Sequence, residues 1–177
     1  MEKSDSFHTA LTFVLRYEGK LSNVKSDHGG QTYCGISRKF FPNWEGWQYV
    51  DKDLGDVRLG TAVEDFYYKI WQHLRCDEIV PELALAVFDI AINMGEHDAG
   101  VMLQTALQAI GYPLLLDGDI GNKTIATCKA SEKQVLFILL YVTILRIRHY
   151  RAIVMKDRSQ EKFLLGWLNR TIATIET

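Results

Sequence analysis

The sequence predicts a mainly α domain with a small β arm and a central buried helix. Apolar residues recur at helical spacing through most of the chain, but between Leu21 and Ile36 that spacing gives way to short, turn-rich segments. Val135 to Ile147 is apolar on nearly every side, as a core helix would be. With 177 residues and 47% hydrophobic content, the chain is long enough to bury one good core within a single domain.

The elements follow in order. Phe7, Ala10, Leu11, Val14 and Leu15 form the stripe of a first amphipathic helix, with Gly19 suited to its stop. Asp27-His28-Gly29-Gly30 breaks the next stretch into two short strands of a hairpin or irregular β arm. Trp44 to Gly60 lacks a period and reads as loop with short helical turns. Thr61 and Glu64 make a capping-box pattern ahead of the stripe Val63, Phe66, Tyr67, Ile70, Trp71, Leu74. Pro81 opens a helix carrying Leu83, Val87, Ile90, Ala91 and Met94 that stops at Gly95, and another spans about Asp98 to Ile110 before Gly111. A loop covers Tyr112 to Gly121, and Asp117-Gly118-Asp119 is a tight turn before an Asn-capped helix. Ser131 with Gln134 caps the long apolar helix, and a last amphipathic helix holds Phe163, Leu164, Trp167, Leu168 and Ile172.

Bulk properties exclude several classes. Lys and Arg number 20 against 22 Asp and Glu, so no strong field attracts nucleic acid. Cys34, Cys76 and Cys128 are widely spaced without a paired motif and read as buried thiols of a reducing compartment. The histidines are scattered, so neither a metal nor another cofactor is expected. Asp117-Gly118-Asp119 lacks the glutamate and spacing of a calcium loop. No sustained apolar stretch opens the chain, which argues against a secretory signal and for cytoplasmic synthesis. The run Val135 to Leu145 is too short to cross a bilayer, so stable membrane insertion is not expected.

The most informative residue is Glu18. Extending the first stripe from Phe7, Leu11 and Val14 by one step lands on this carboxyl, which should then face the interior or a cleft. Partial desolvation and the negative end of the helix dipole both disfavour its charged form there, as a general acid requires. The same residue also reads as a solvated helix end. Glycosidic bond cleavage needs a second carboxylate or a positioned water as well. Asp27 is the nearest candidate, although it serves equally as a turn cap, and Thr32 carries a hydroxyl able to orient water. Tyr33, Trp44 and Trp47 offer aromatic faces on which sugar rings stack, with core packing or cross-strand pairing as their alternative uses. Asp89 and Asn93 share a helix face and either hydrogen-bond in the core or border the cleft, with their apolar surroundings favouring the core.

Together, Glu18-Gly19, Asp27-His28-Gly29-Gly30, Thr32 and Gly35-Ile36 resemble the N-terminal signature of the glycoside hydrolase family 108 muramidases, phage-endolysin-like proteins once labelled secretion activators. Asp89, Asn93-Met94-Gly95, Leu103-Gln104, Ala106-Leu107, Asp117-Gly118-Asp119-Ile120-Gly121 and Thr124 resemble the C-terminal peptidoglycan-binding-like region of that family. Two departures stand out: Lys20-Leu21 replaces a second Gly and an aromatic, and His28 replaces a proline. The resemblance implies a lysozyme-like α+β fold over residues 1–177, with a catalytic lobe at about 7–80 and a helical peptidoglycan-binding-like lobe at about 81–177. It implies Glu18 as the catalytic acid, with Asp27 and Thr32 at the other two motif positions.

The expected activity is hydrolysis of the bond between N-acetylmuramic acid and N-acetylglucosamine, with peptidoglycan glycan strands as the partner. A lytic transglycosylase acting on the same bond is one alternative, and a noncatalytic wall-binding or secretion-associated protein is another. Because that substrate lies outside the cytoplasm, a holin or a secretion system is the expected route to it.

Overall fold

A computed structural model describes residues 2–19, 21–22, 31–52 and 57–176. Asp27 and His28, together with Gly29 and Gly30, lie outside the described residues. The chain divides into two compact units, Met1–Ile70 and Trp71–Thr177.

In the first unit, α1 (Asp5–Tyr17) begins two residues before its predicted stripe, because Ser4 caps it and its hydroxyl accepts from the Phe7 amide at 3.2 Å. It buries Phe7, Ala10, Leu11, Phe13 and Val14. The helix stops at Tyr17, Glu18 continues in extended conformation, and Gly19 does not take the left-handed stop. β1 (Leu21–Ser22), β2 (Thr32–Tyr33) and β3 (Ile36–Ser37) form an antiparallel sheet in that order, the predicted β arm. α2 (Trp47–Val50) is the short helical turn expected in the loop region.

α3 (Val57–His73) corrects the start read at Thr61. Thr61 is already inside the helix, where its hydroxyl donates to the Val57 carbonyl at 3.0 Å instead of capping. α1 and α3 are joined by an edge-to-face contact of Phe7 with Tyr68 and by the Lys3 ammonium, 2.6 Å from Asp65 and 2.9 Å from Glu64.

The second unit holds α4 (Pro81–Met94), α5 (Glu96–Ala109), α6 (Asn122–Ala130), α7 (Val135–Lys156) and α8 (Glu161–Ala173). α4 starts on Pro81 and ends at Gly95 as predicted. Its Asp89 is fully buried, accepting from Arg146 Nη2 of α7 and Arg170 Nε of α8 at 2.8 Å each. With its amide oxygen turned toward Arg170, Asn93 accepts from the same guanidinium at 3.0 and 3.1 Å. Asp89 is therefore a buried polar centre, linked through Arg170 to the half-buried Asn93.

Buried Gln104 organises the loop before α6: its amide donates to Asp117 Oδ1 at 2.7 Å and to the Asp119 carbonyl at 2.9 Å, and its oxygen accepts from the Gly118 amide. A Cβ at Gly100 would fall 2.0 Å from the Gly118 carbonyl, so α5 needs glycine there to meet this loop. Gly121, not Asn122, holds the cap position of α6, and the Asn122 side chain accepts from Arg75 instead.

Two expectations about α7 are corrected. Ser131 does not cap it: its hydroxyl donates to the Thr127 and Cys128 carbonyls, and a 3-10 turn, Glu132–Gln134, intervenes. Nor is the helix buried all round. Ile138, Leu139, Val142, Arg146, Tyr150 and Val154 face inward, whereas Leu136, Phe137, Leu140, Ile144 and Ile147 are 40 to 65% exposed. The inward face is chosen by the Arg146 ion pair and the packing of α4, α5 and α8, which apolar composition alone does not encode.

Burial pushes the Cys128 thiol up to about 12 and the Cys76 thiol well above its ordinary value, so both stay protonated and unreactive. Cys34 is only half-buried, in a strand turn, and departs from the expected set of buried thiols. Among the described residues no helix is long and apolar enough to cross a membrane, and no three His, Cys, Asp or Glu side chains are grouped to hold a metal.

Candidate active site

The site is built on the hairpin of β2 and β3. Thr32 pairs with Ser37 and Tyr33 with Ile36, leaving Cys34-Gly35 as a two-residue turn. Both turn residues have positive φ, 47° and 78°, the geometry that matches the twist of the flanking strands. Glycine suits the second position, and Cys34 carries the strain of the first.

Three elements meet at this turn. Glu18, half-buried at the end of α1, lays its carboxyl on Gly35: a Cβ there would lie 2.5 Å from Glu18 Oε2 and 2.9 Å from the Tyr67 hydroxyl. Tyr67 reaches the turn from α3, 2% exposed, and donates to the Cys34 carbonyl at 2.5 Å. The glycine thus serves two needs, positive φ and room for the carboxyl. Tyr67 braces the turn from beneath and spends its proton on the backbone, which makes it a positioning group.

Thr32 and Tyr33 lie on the strand entering this turn, half-buried. The Tyr33 ring stacks on Trp44 with centroids 6.4 Å apart and planes at 26°, and burial with the neighbouring Cys34 pushes its phenol up. Trp44 is half-buried; its indole N–H donates to the Ala62 carbonyl at 3.2 Å and its ring covers Gly46, where a Cβ would be 2.2 Å away. Trp47 is 4% exposed, its N–H donates to the Phe41 carbonyl at 2.8 Å, and the Arg38 guanidinium lies 4.4 Å from its ring. No open face is left on Trp47, which therefore supports Trp44 from the core.

The structure brings Glu18, Gly35 and Tyr67 together; Tyr33 lies on the strand that enters the turn, and Trp44, in the segment between β3 and α2, stacks on it. Sequence reasoning placed Tyr67 in the core stripe of its helix and missed its link to the turn. No local pattern signals that long-range bond. Gly35 was legible as part of the motif, and its following Ile36 marks the return strand.

Comparisons with known proteins identify two regions along the chain. Residues 11–95 match the glycosyl hydrolase 108 family and residues 98–172 match a family described as a predicted peptidoglycan domain. The structure of Brucella abortus SagA is similar, with a TM-score of 0.74 over 97% of this chain and 92% of that one, at 24% identity. That likeness speaks for the fold. No curated protein matches the chain. The two matches lie in the order anticipated from the motifs, Glu18, Gly35 and Tyr67 all fall within the first, and the chain carries a glycosyl hydrolase 108 region followed by a peptidoglycan domain.

Proposed function

We propose that this glycoside hydrolase is an N-acetylmuramidase, with Glu18 as the acid that protonates the departing oxygen of the bond between N-acetylmuramic acid and N-acetylglucosamine. The observation that carries the reading is the seating of the Glu18 carboxyl on Gly35, where a tight turn and Tyr67 fix the groups around it. A proton donor held in one place acts without reorganising in the transition state. Asp27 is assigned the second carboxylate role, activating water or stabilising the cationic sugar, and Thr32 the positioning of that water. Tyr33 and Trp44 face the saccharide, with Trp47 behind Trp44. Peptidoglycan-directed regions support the wall as substrate, and delivery through a holin or a secretion system from the cytoplasm completes the proposal.

Turbidity clearance of purified peptidoglycan tests the central role. Glu18→Gln keeps size and hydrogen bonding but cannot donate the acidic proton, and the rate should fall by about 10² to 10⁴. Clearance at the wild-type rate would remove Glu18 from the mechanism. Mass analysis of the wild-type digest separates hydrolysis, which adds water across the bond, from transglycosylation, which leaves an anhydro sugar.

A further inference from the structure

Beside the hairpin, in the same unit, lies an open groove of about 570 Å³ whose use the catalytic reading leaves unexplained. Phe40, Phe41, Asn43, Trp44, Phe66 and Lys69 line it. Phe40 is 68% exposed and Phe41 45%, an unusual outlay of aromatic surface for a folded chain. The groove is also rigidly built. The Trp47 indole holds the Phe41 carbonyl, Trp44 is tied to α3 at Ala62, and Phe66 meets Phe41 edge to face at 4.8 Å.

We propose that this groove is an outer subsite for the glycan strand, holding an N-acetylated pyranose away from the bond that is cut. The inference rests on the muramidase reading of the Glu18 site. Its volume falls in the range of small-ligand sites, about 300 to 1,000 Å³. Exposed aromatic faces beside hydrogen-bonding groups match a sugar ring, which has a flat C–H face and a polar perimeter. Asn43 supplies both a donor and an acceptor, and Lys69, which has no ion-pair partner among the described residues, supplies a donor. Glu45, also on the rim, offsets the Lys69 charge, so the groove suits a neutral saccharide better than a charged stem peptide. Continuity favours the same occupant: Trp44 both lines the groove and stacks on Tyr33, and Tyr33 adjoins the turn on which the Glu18 carboxyl sits. A strand lying across Tyr33 and Trp44 runs directly into the groove.

The test is a titration of the full chain with long N-acetylglucosamine oligosaccharides, followed by tryptophan fluorescence, for which Trp44 is the reporter. Saturable binding is expected, weakened about threefold to tenfold by Phe40→Ala, the loss of one stacking surface, and by a smaller factor by Lys69→Ala. Phe40→Tyr, which keeps the ring, should bind as wild type. Circular dichroism and melting of Phe40→Ala verify the fold. Affinity unchanged in both alanine variants, or a response to free stem peptides and none to oligosaccharides, would overturn the proposal. A failure of the muramidase reading looks different: Glu18→Gln would still clear peptidoglycan while Phe40→Ala still weakened the titration.

Discussion

At the scale of single residues, the charges outside the site make a checkable case in His73. Its Nδ1 is hydrogen-bonded to Glu96 Oε2, and that bond, then the Glu96 charge, with a lesser contribution from Asp119, raises the imidazole above its ordinary 6.5 against a small opposing effect of burial. The folded value lies above the unfolded one, so the pair stabilises fully below the unfolded value and loses its contribution as pH rises through the folded one. Because the His73 side chain is 79% exposed, solvent screens the pair and its share of stability is small. An NMR titration should place His73 above 6.5, and Glu96→Gln should bring it back toward that value. A His73 midpoint insensitive to Glu96→Gln would show that the contact does not persist in solution.

At the scale of elements, the hairpin turn makes the sharpest prediction. Gly35→Ala would add a Cβ 2.5 Å from Glu18 Oε2 at φ +78°, so the carboxyl must move and the backbone takes up strain of about 1 kcal/mol. Clearance should fall nearly as far as in Glu18→Gln while melting drops by only a few degrees. Wild-type clearance by Gly35→Ala would mean that the seat on the turn is not needed. The same turn shows what is legible in a sequence. A helix with one clean stripe, such as α1, declares itself because local spacing and burial agree, whereas α4, buried at every position from Leu83 to Ala91, is announced by Pro81 at its start and Gly95 at its end. Thr61 and Ser131 misled because a capping pattern is local while the helix start is decided by what packs upstream. The outer face of α7 misled for the opposite reason: Leu140 and Ile144 look as buried as Leu139, and only tertiary contacts tell them apart. Glu18 stood out because a carboxyl on an apolar stripe is anomalous, whereas Tyr67 on its stripe is ordinary, and its bond to Cys34 crosses 33 positions.

At the scale of the whole molecule, family boundaries and packing boundaries do not coincide. The glycosyl hydrolase 108 match runs to residue 95 and the peptidoglycan domain match begins at 98, yet the compact units part between Ile70 and Trp71. α4 is therefore hydrolase by sequence and packs with α5 and α7 by structure. Asp89 is the reason it cannot be spared. Its carboxylate is the buried counter-charge to Arg146 and Arg170, which are 1% and 7% exposed and come from the peptidoglycan region. Removing it leaves two guanidinium groups in the interior without that anion, a loss of about 3–5 kcal/mol. Asp89→Ala should thus lower the melting temperature on the order of 10 °C, and Asp89→Asn, which keeps an acceptor, should lower it less. If the charges are the cause, replacing Arg146 and Arg170 by Met in the Asp89→Leu background should recover most of the loss, because a well-packed apolar trio carries no desolvation cost. Calorimetric melts of the three variants decide it: an Asp89→Ala protein as stable as wild type would mean that the hydrolase and peptidoglycan regions are not held together through this ion cluster.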